Sequence, residues 1–166
     1  LTAGNVTLLY PAAGFALGLA LMLGRIAGMG IYLGALVSNI WATGQVYPAI
    51  IIAFGCTLQA VVARRMLLAQ GMHIKLDTLA DYLKLLAYGG VVCCLIASVI
   101  GVVALTLFGH IAPITMPMLM LKWWMGDLLG IVLVTPLMLT WRKLFERQNL
   151  EKRLLGVQLF ALTLFL

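Results

Sequence analysis

Long apolar runs alternate along this chain with short polar punctuation. Six apolar segments stand out, at residues 5–24, 27–45, 47–69, 79–108, 116–141 and 154–166. A helix needs about 20 apolar residues to cross a bilayer, and the first five segments meet or approach that length. Turn-forming residues separate the runs: "GRIAG" follows the first, "ATGQVYP" precedes the third and "GHIAPITMP" precedes the fifth. Asp77 is the expected N-cap of the fourth, whose first turns, "DTLADYLK", would lie at the membrane interface. The pattern predicts an all-α protein, a polytopic transmembrane helix bundle in which residues 1–166 form one domain. The last segment has 13 residues, about 20 Å of helix, too short to cross. The chain is therefore expected to be a fragment of a longer protein, with its sixth span incomplete and no signal peptide ahead of residue 1.

Composition agrees with a lipid solvent. The chain is 64% hydrophobic and 10% charged, with a mean hydropathy of +1.12, whereas soluble domains are about 45–50% apolar and about 25% charged. A net charge of +6 raises the question of a nucleic-acid partner, and the placement of the charges answers it. Arg25 follows span one. Arg64, Arg65, Lys75 and Lys84 flank the connection between spans three and four. Arg142, Lys143, Arg147, Lys152 and Arg153 fill the connection between spans five and six. With alternating spans, ten of the eleven Lys and Arg fall on one side. The positive-inside rule makes that side the cytoplasm, so the loops after spans one, three and five are expected there. Lys122 is the exception. The lipid bilayer is the implied partner, and nucleic acid is not.

Both outer connections are short and carry no Asp, Glu, Lys or Arg. A stimulus would have to act within the bundle, at its shallow outer face or through the lipid. The inner linker "RKLFERQNLEKR" reads as a headgroup-facing loop, with docking of a cytoplasmic partner as the minor alternative.

Polar residues inside lipid are costly and tend to face one another in the bundle interior. Here they are Asn39 and Trp41 in span two, Gln59 in span three, and Lys122 and Asp127 in span five, the last two inside "KWWMGDLLG". Asp127 stands about 15 Å into its span by helical rise, near the midplane. Unpaired and ionised, it would cost on the order of 3 kcal/mol, so a proton or a partner is expected. Lys122, five residues away, is poorly placed on the same face, and with Trp123 and Trp124 it reads as an outer interface anchor. Trp123, at i−4, offers an indole N–H; Gln59, Asn39, Arg64 and Arg65 are candidates across helices. Three roles stay open for Asp127: a structural clamp, a ligand-, ion- or proton-sensing site, or a transport-coupled proton site.

Small residues spaced four apart let helices approach closely in lipid. Gly14/Gly18, Gly30/Gly34 and Gly126/Gly130 have that spacing within predicted spans. Pro11 either starts a helix at its first position or kinks one, and Pro136 should kink span five and release a backbone carbonyl. Cys56, Cys93 and Cys94 lack metal-ligand spacing and read as packing residues. Ser38 and Ser98 stand in no nucleophile motif, and His73 and His110 are assigned to opposite sides of the membrane. No catalytic residue, metal ligand set or cofactor is therefore expected.

Four stretches together resemble a known family. "LLYPAAGFALGLALMLG", "GIYLGALVSNI" and "AFGCTLQAVVARRML" are similar to successive helices of the membrane-associated sensor domains (MASE family, first class). "WWMGDLLGIVLVTPLMLTW" resembles the family's most characteristic motif, Trp-rich and then Gly-Asp, Gly and Pro. Gln59 departs from the acid often found at its position. The resemblance implies a domain of about eight helices in the bacterial inner membrane. Such a module passes a stimulus to a covalently linked cytoplasmic output domain, a two-component histidine kinase or a cyclic-di-GMP enzyme. It also implies an unknown small ligand and a homodimer as partners, with Asp127, Lys122, Trp123, Trp124, Asn39 and Gln59 around the sensing cavity. The competing reading from the helix pattern is a small-molecule transporter or the substrate-binding membrane subunit of an uptake system.

Overall fold

The computed structural model describes residues 10–146, with side chains through Trp141. All regular structure among the described residues is helical. The helices are α1 (Pro11–Leu23), α2 (Ala27–Thr43), α3 (Val46–Ala69), α4 (Leu79–Lys84), α5 (Cys94–Leu107) and α6 (Met116–Glu146). A 3-10 turn, Gly24–Ile26, joins α1 to α2, and another, Pro113–Thr115, leads into α6. A π-helical segment, Leu85–Val92, fuses α4 to α5.

Four helical stretches are long and apolar enough to cross a membrane: Pro11–Thr43, Val46–Ala69, Leu79–Leu107 and Pro113–Trp141. The expected count of six spans, and of an eight-helix domain beyond it, therefore has no support here. The segment at 154–166 lies outside the described residues. The two segments expected at 5–24 and 27–45 overlap the first stretch, which turns back on itself at Gly24, and residues 5–9 lie outside the described residues. Gly24 has φ +70 and ψ −138, a conformation that ends α1 and that a residue with a Cβ rarely adopts. Tyr10 and Ser38 consequently line the same cavity, so α1 and α2 run antiparallel from the turn. The Arg64 guanidinium lies against Gly24, placing a cation at the C-terminal end of α1, where the helix dipole favours it.

α1 packs along α6 in parallel. The Tyr10 N–H donates to the Gly126 carbonyl at 3.1 Å, and the Thr135 hydroxyl donates to the Gly14 carbonyl at 2.9 Å. A Cβ on Gly14 would overlap the Gly130 carbonyl oxygen, and one on Gly130 would overlap that of Tyr10. The Gly126/Gly130 groove of α6 thus holds the start of α1 backbone to backbone, as small residues in lipid permit. Gly18 meets Met138 one level further on. The core between them is Leu17, Leu21, Ala63, Leu67, Leu85, Cys93, Ile131 and Leu139, drawn from α1, α3, α6 and the π-α5 arm.

α2 is peripheral. Its buried residues are Ala27 and Ile31, which pack with Ala20 of α1 and Ala60 of α3; Met29, Leu33, Val37 and Trp41 are exposed. Among the described residues, a Cβ on Gly30 or Gly34 would meet nothing within 4 Å. The close packing expected of that pair is therefore absent, because no described helix lies over it.

The connection from α3 to α4 is pinned by polar bonds. Thr78, not the expected Asp77, caps α4: its hydroxyl accepts from the Asp81 N–H at 3.1 Å and donates to the Asp81 carboxylate at 2.8 Å. The other carboxylate oxygen of Asp81 accepts from the His73 N–H at 3.0 Å. The Thr78 hydroxyl thus caps one free amide of the first turn, and the Asp81 carboxylate ties that hydroxyl to the His73 amide of the preceding connection. Asp81 is buried, and Lys84 donates to the Gly71 carbonyl at 3.3 Å.

Candidate functional site

A cavity of about 260 Å³ lies among α1, α2, α3 and α6. It exists because α1 turns back at Gly24 and α2 then follows α3 rather than closing onto α1. Its walls are mostly apolar, from Ala13, Ala16 and Leu17 on α1 to Ile31 on α2, Ala60 on α3 and Ile131 on α6. Polar groups gather at one end: Tyr10 and Ser38 from the α1 and α2 side, Cys56 and Gln59 from α3, and Asp127 from α6.

Asp127 is 1% exposed, and its Oδ1 has no hydrogen-bond partner among the described residues. Gln59, 4% exposed, is within hydrogen-bonding reach of the carboxylate. Its Nε2 donates to Cys94 Sγ at 3.4 Å, while its Oε1 is also unpartnered. The hydroxyls of Tyr10 and Ser38 are within reach of one another, and Ser38 donates to the Ala35 carbonyl at 3.1 Å. Among the described residues no Lys, Arg or His lines the cavity. The result is a small, largely apolar chamber with two buried acceptors, one a carboxylate, and no cation beside them.

Position along the helices explains the grouping. Gln59 and Cys56 differ by three residues and share one face of α3. Asp127 follows Gly126, whose carbonyl accepts from the Tyr10 N–H, and Gly130, one turn on, has no Cβ to hold Tyr10 off α6. The cavity's polar end is thus assembled wherever the backbones of α1 and α6 touch. A MASE1 family model matches residues 1–166, the whole chain. The chain belongs to the MASE1 family. MASE1 is a family of membrane-associated sensor domains, which agrees with the four apolar stretches and makes this a membrane protein. Comparison with curated proteins and with solved structures gives no match.

In this MASE1 chain the six polar residues expected around one cavity are divided. Asp127 and Gln59 line it; Lys122, Trp123, Trp124 and Asn39 do not. Asn39 donates to the Ala35 carbonyl of its own helix at 2.7 Å, satisfying itself within α2. Trp123 lies against Gly101 of α5 and packs with the Ile52, Ala104 and Leu105 cluster, so its indole is not the partner of Asp127. The Trp124 N–H donates to the Val91 carbonyl at 2.9 Å. That carbonyl lies where the π-helical segment returns to α-helix, a register change that leaves backbone groups without their usual partners. Lys122 is half-buried and precedes both tryptophans on α6.

The proline and glycine positions of the MASE1 motif are accounted for locally. Pro11 starts α1 at its first turn and leaves the non-helical Tyr10 on the cavity wall. Pro136 sits inside α6, where its missing N–H frees the Val132 carbonyl; the Tyr82 hydroxyl reaches that oxygen at 3.5 Å. Gly14, Gly18, Gly126 and Gly130 form the α1–α6 seam, whereas Gly30 and Gly34 border the cavity. Tyr10, Ser38 and Cys56 were not among the sequence candidates. Their only signal in the sequence is modest polarity within apolar runs. Among the described residues no cluster of His, Cys, Asp or Glu could hold a metal ion.

Proposed function

We propose that this chain is a sensory input module of the bacterial cytoplasmic membrane, and that the chamber around Asp127 is where the stimulus acts. The observation that carries this reading is the fully buried Asp127 carboxylate, with an unpartnered oxygen, on the wall of a cavity. A buried carboxylate without a cation is a poised group: any proton or ligand that satisfies it changes the energy of the α1–α6 seam on which it sits. The shift in helix packing is passed to a cytoplasmic output domain, a histidine kinase or a cyclic-di-GMP enzyme, while the membrane segment itself is non-catalytic. The positive-inside rule supports the sidedness, because Arg25, Arg64, Arg65, Lys75 and Lys84 lie toward the end where α1 and α3 finish and α4 begins.

The test is Asp127→Asn in the full-length protein, scored by output activity in cells and by abundance in the membrane. Altered signalling at normal abundance is expected. Unchanged signalling at normal abundance would reject a sensing role, and loss of the protein from the membrane would favour the structural clamp.

A further inference from the structure

The chamber's chemistry limits what can fill it. Two buried acceptors, Asp127 Oδ1 and Gln59 Oε1, lack donors. One N–H of Gln59 Nε2 goes to Cys94 Sγ and the other is within reach of the carboxylate, while Ser38 donates to the Ala35 carbonyl. Oδ1 and Oε1 still lack donors among the described residues. With no Lys, Arg or His among the described lining residues, an anionic ligand would meet a carboxylate and nothing to offset it. A neutral alcohol brings one donor for two acceptors and no charge. A protonated amine brings three N–H donors and a positive charge. The rest of the wall is apolar, from Leu17, Ile31 and Ala60, and suits a hydrocarbon body. At about 260 Å³ the chamber falls just below the roughly 300–1,000 Å³ of drug-sized pockets, so the body must be small.

Access is from the lipid side. Gly30 and Gly34 border the cavity, are exposed, and have no atom of the described residues within 4 Å of where a Cβ would stand. They leave a notch in the middle of α2, where a larger side chain would form a wall. We infer that the chamber binds a small lipophilic amine, its ammonium group held by Asp127 and Gln59 and its apolar body admitted past Gly30 and Gly34. The biological meaning of such binding rests on the sensory reading above; the binding itself does not.

The probe is n-hexylamine, added to the full-length protein in lipid nanodiscs, with 1-hexanol and hexanoate as tail-matched controls and empty nanodiscs as the partition blank. A ligand that binds only the folded protein raises its apparent stability in a saturable way. Hexylamine is expected to raise the unfolding temperature saturably, and the controls are not. Loss of a charge-assisted pair in Asp127→Asn should weaken binding by about ten- to a hundred-fold. Gly34→Leu, placed in open space, should keep the fold and block entry, so it decides the matter if Asp127→Asn does not fold. An equal shift with hexanol, no saturable shift with hexylamine, or hexylamine binding undiminished in Gly34→Leu would each overturn the inference. Output activity separates the two claims. Hexylamine that binds without changing output removes the sensory role and leaves the ligand class standing. An Asp127→Asn effect on output in a protein that never binds hexylamine removes the ligand class and leaves the sensory role.

Discussion

Gly130→Ala adds one methyl group at the tightest point of the bundle. Its Cβ would overlap the Tyr10 carbonyl oxygen, so α1 has to retreat by about 1 Å or more to restore ordinary contact, a gap that forfeits a large part of each dispersion well it opens. Overpacking of this kind costs about 1–3 kcal/mol. The same retreat stretches the Tyr10 N–H to Gly126 bond, 3.1 Å, and the Thr135 to Gly14 bond, 2.9 Å, each worth about 0.6 kcal/mol or somewhat more between membrane helices. Against these stands the better helix propensity of Ala, about 1 kcal/mol. The net expectation is a loss of roughly 1–3 kcal/mol, or about 5- to 150-fold in the unfolding equilibrium. Gly34→Ala is the matched control. It makes the same chemical change in a helix where the new Cβ meets nothing within 4 Å, so only the propensity gain remains and the variant should be neutral or slightly more stable. Steric trapping of the chain in lipid bicelles measures both. Equal stabilities for the two variants, or a larger loss at Gly34, would refute the parallel α1–α6 seam.

Two further substitutions probe backbone groups that the helices leave unsatisfied. Trp124→Phe removes the donor to the Val91 carbonyl, 2.9 Å, and should cost about 1 kcal/mol in the same trapping assay; Tyr82→Phe, whose bond to Val132 is 3.5 Å long, should cost clearly less, and the reverse order would count against the assigned partners. Asp81→Ala removes acceptors for Thr78 and the His73 N–H and should cost about 0.5–2 kcal/mol at this helix start. Limited proteolysis should then cut faster within residues 70–78, and an unchanged cleavage rate would show that the Asp81 bonds do not hold the connection.

Function in such a bundle depends on where it is under-packed. The α1–α6 seam is tight, with Gly14 and Gly130 backbone to backbone, whereas α2 is held by Ala27 and Ile31 alone among its buried residues. A ligand that fills the chamber adds contacts between the tight seam and the loose helix.

Much of this was legible in the order of residues. Apolar run length located Val46–Ala69, Leu79–Leu107 and Pro113–Trp141 to within about three residues of the expected spans, since the bilayer's thickness sets the length of any helix that crosses it. The family likeness was carried by "WWMGDLLGIVLVTPLMLTW" and its neighbours, and the family match extends over the whole chain. Asp127 and Gln59 announced themselves as polar residues in lipid, where every such group needs a reason.

What the sequence did not contain was the assignment of partners. Six polar residues in apolar runs are equally conspicuous, yet only helix rotation decides that Trp123 turns to Gly101, Trp124 to Val91 and Asn39 to its own helix, while Asp127 and Gln59 face one chamber. Three GxxxG pairs look alike in one dimension, but Gly126/Gly130 receives the start of α1 and Gly30/Gly34 borders empty space. A missing side chain permits close approach without requiring it; the neighbour is chosen by the whole packing. The chamber likewise follows from a single backbone event, the reversal at Gly24, which sets α2 against α3 and leaves a gap beside α1. Hydrophobic pattern fixes how long each helix is and that it lies in lipid, because those depend on composition alone. Which faces meet depends on contacts between residues far apart in the chain, and only the tertiary structure holds those.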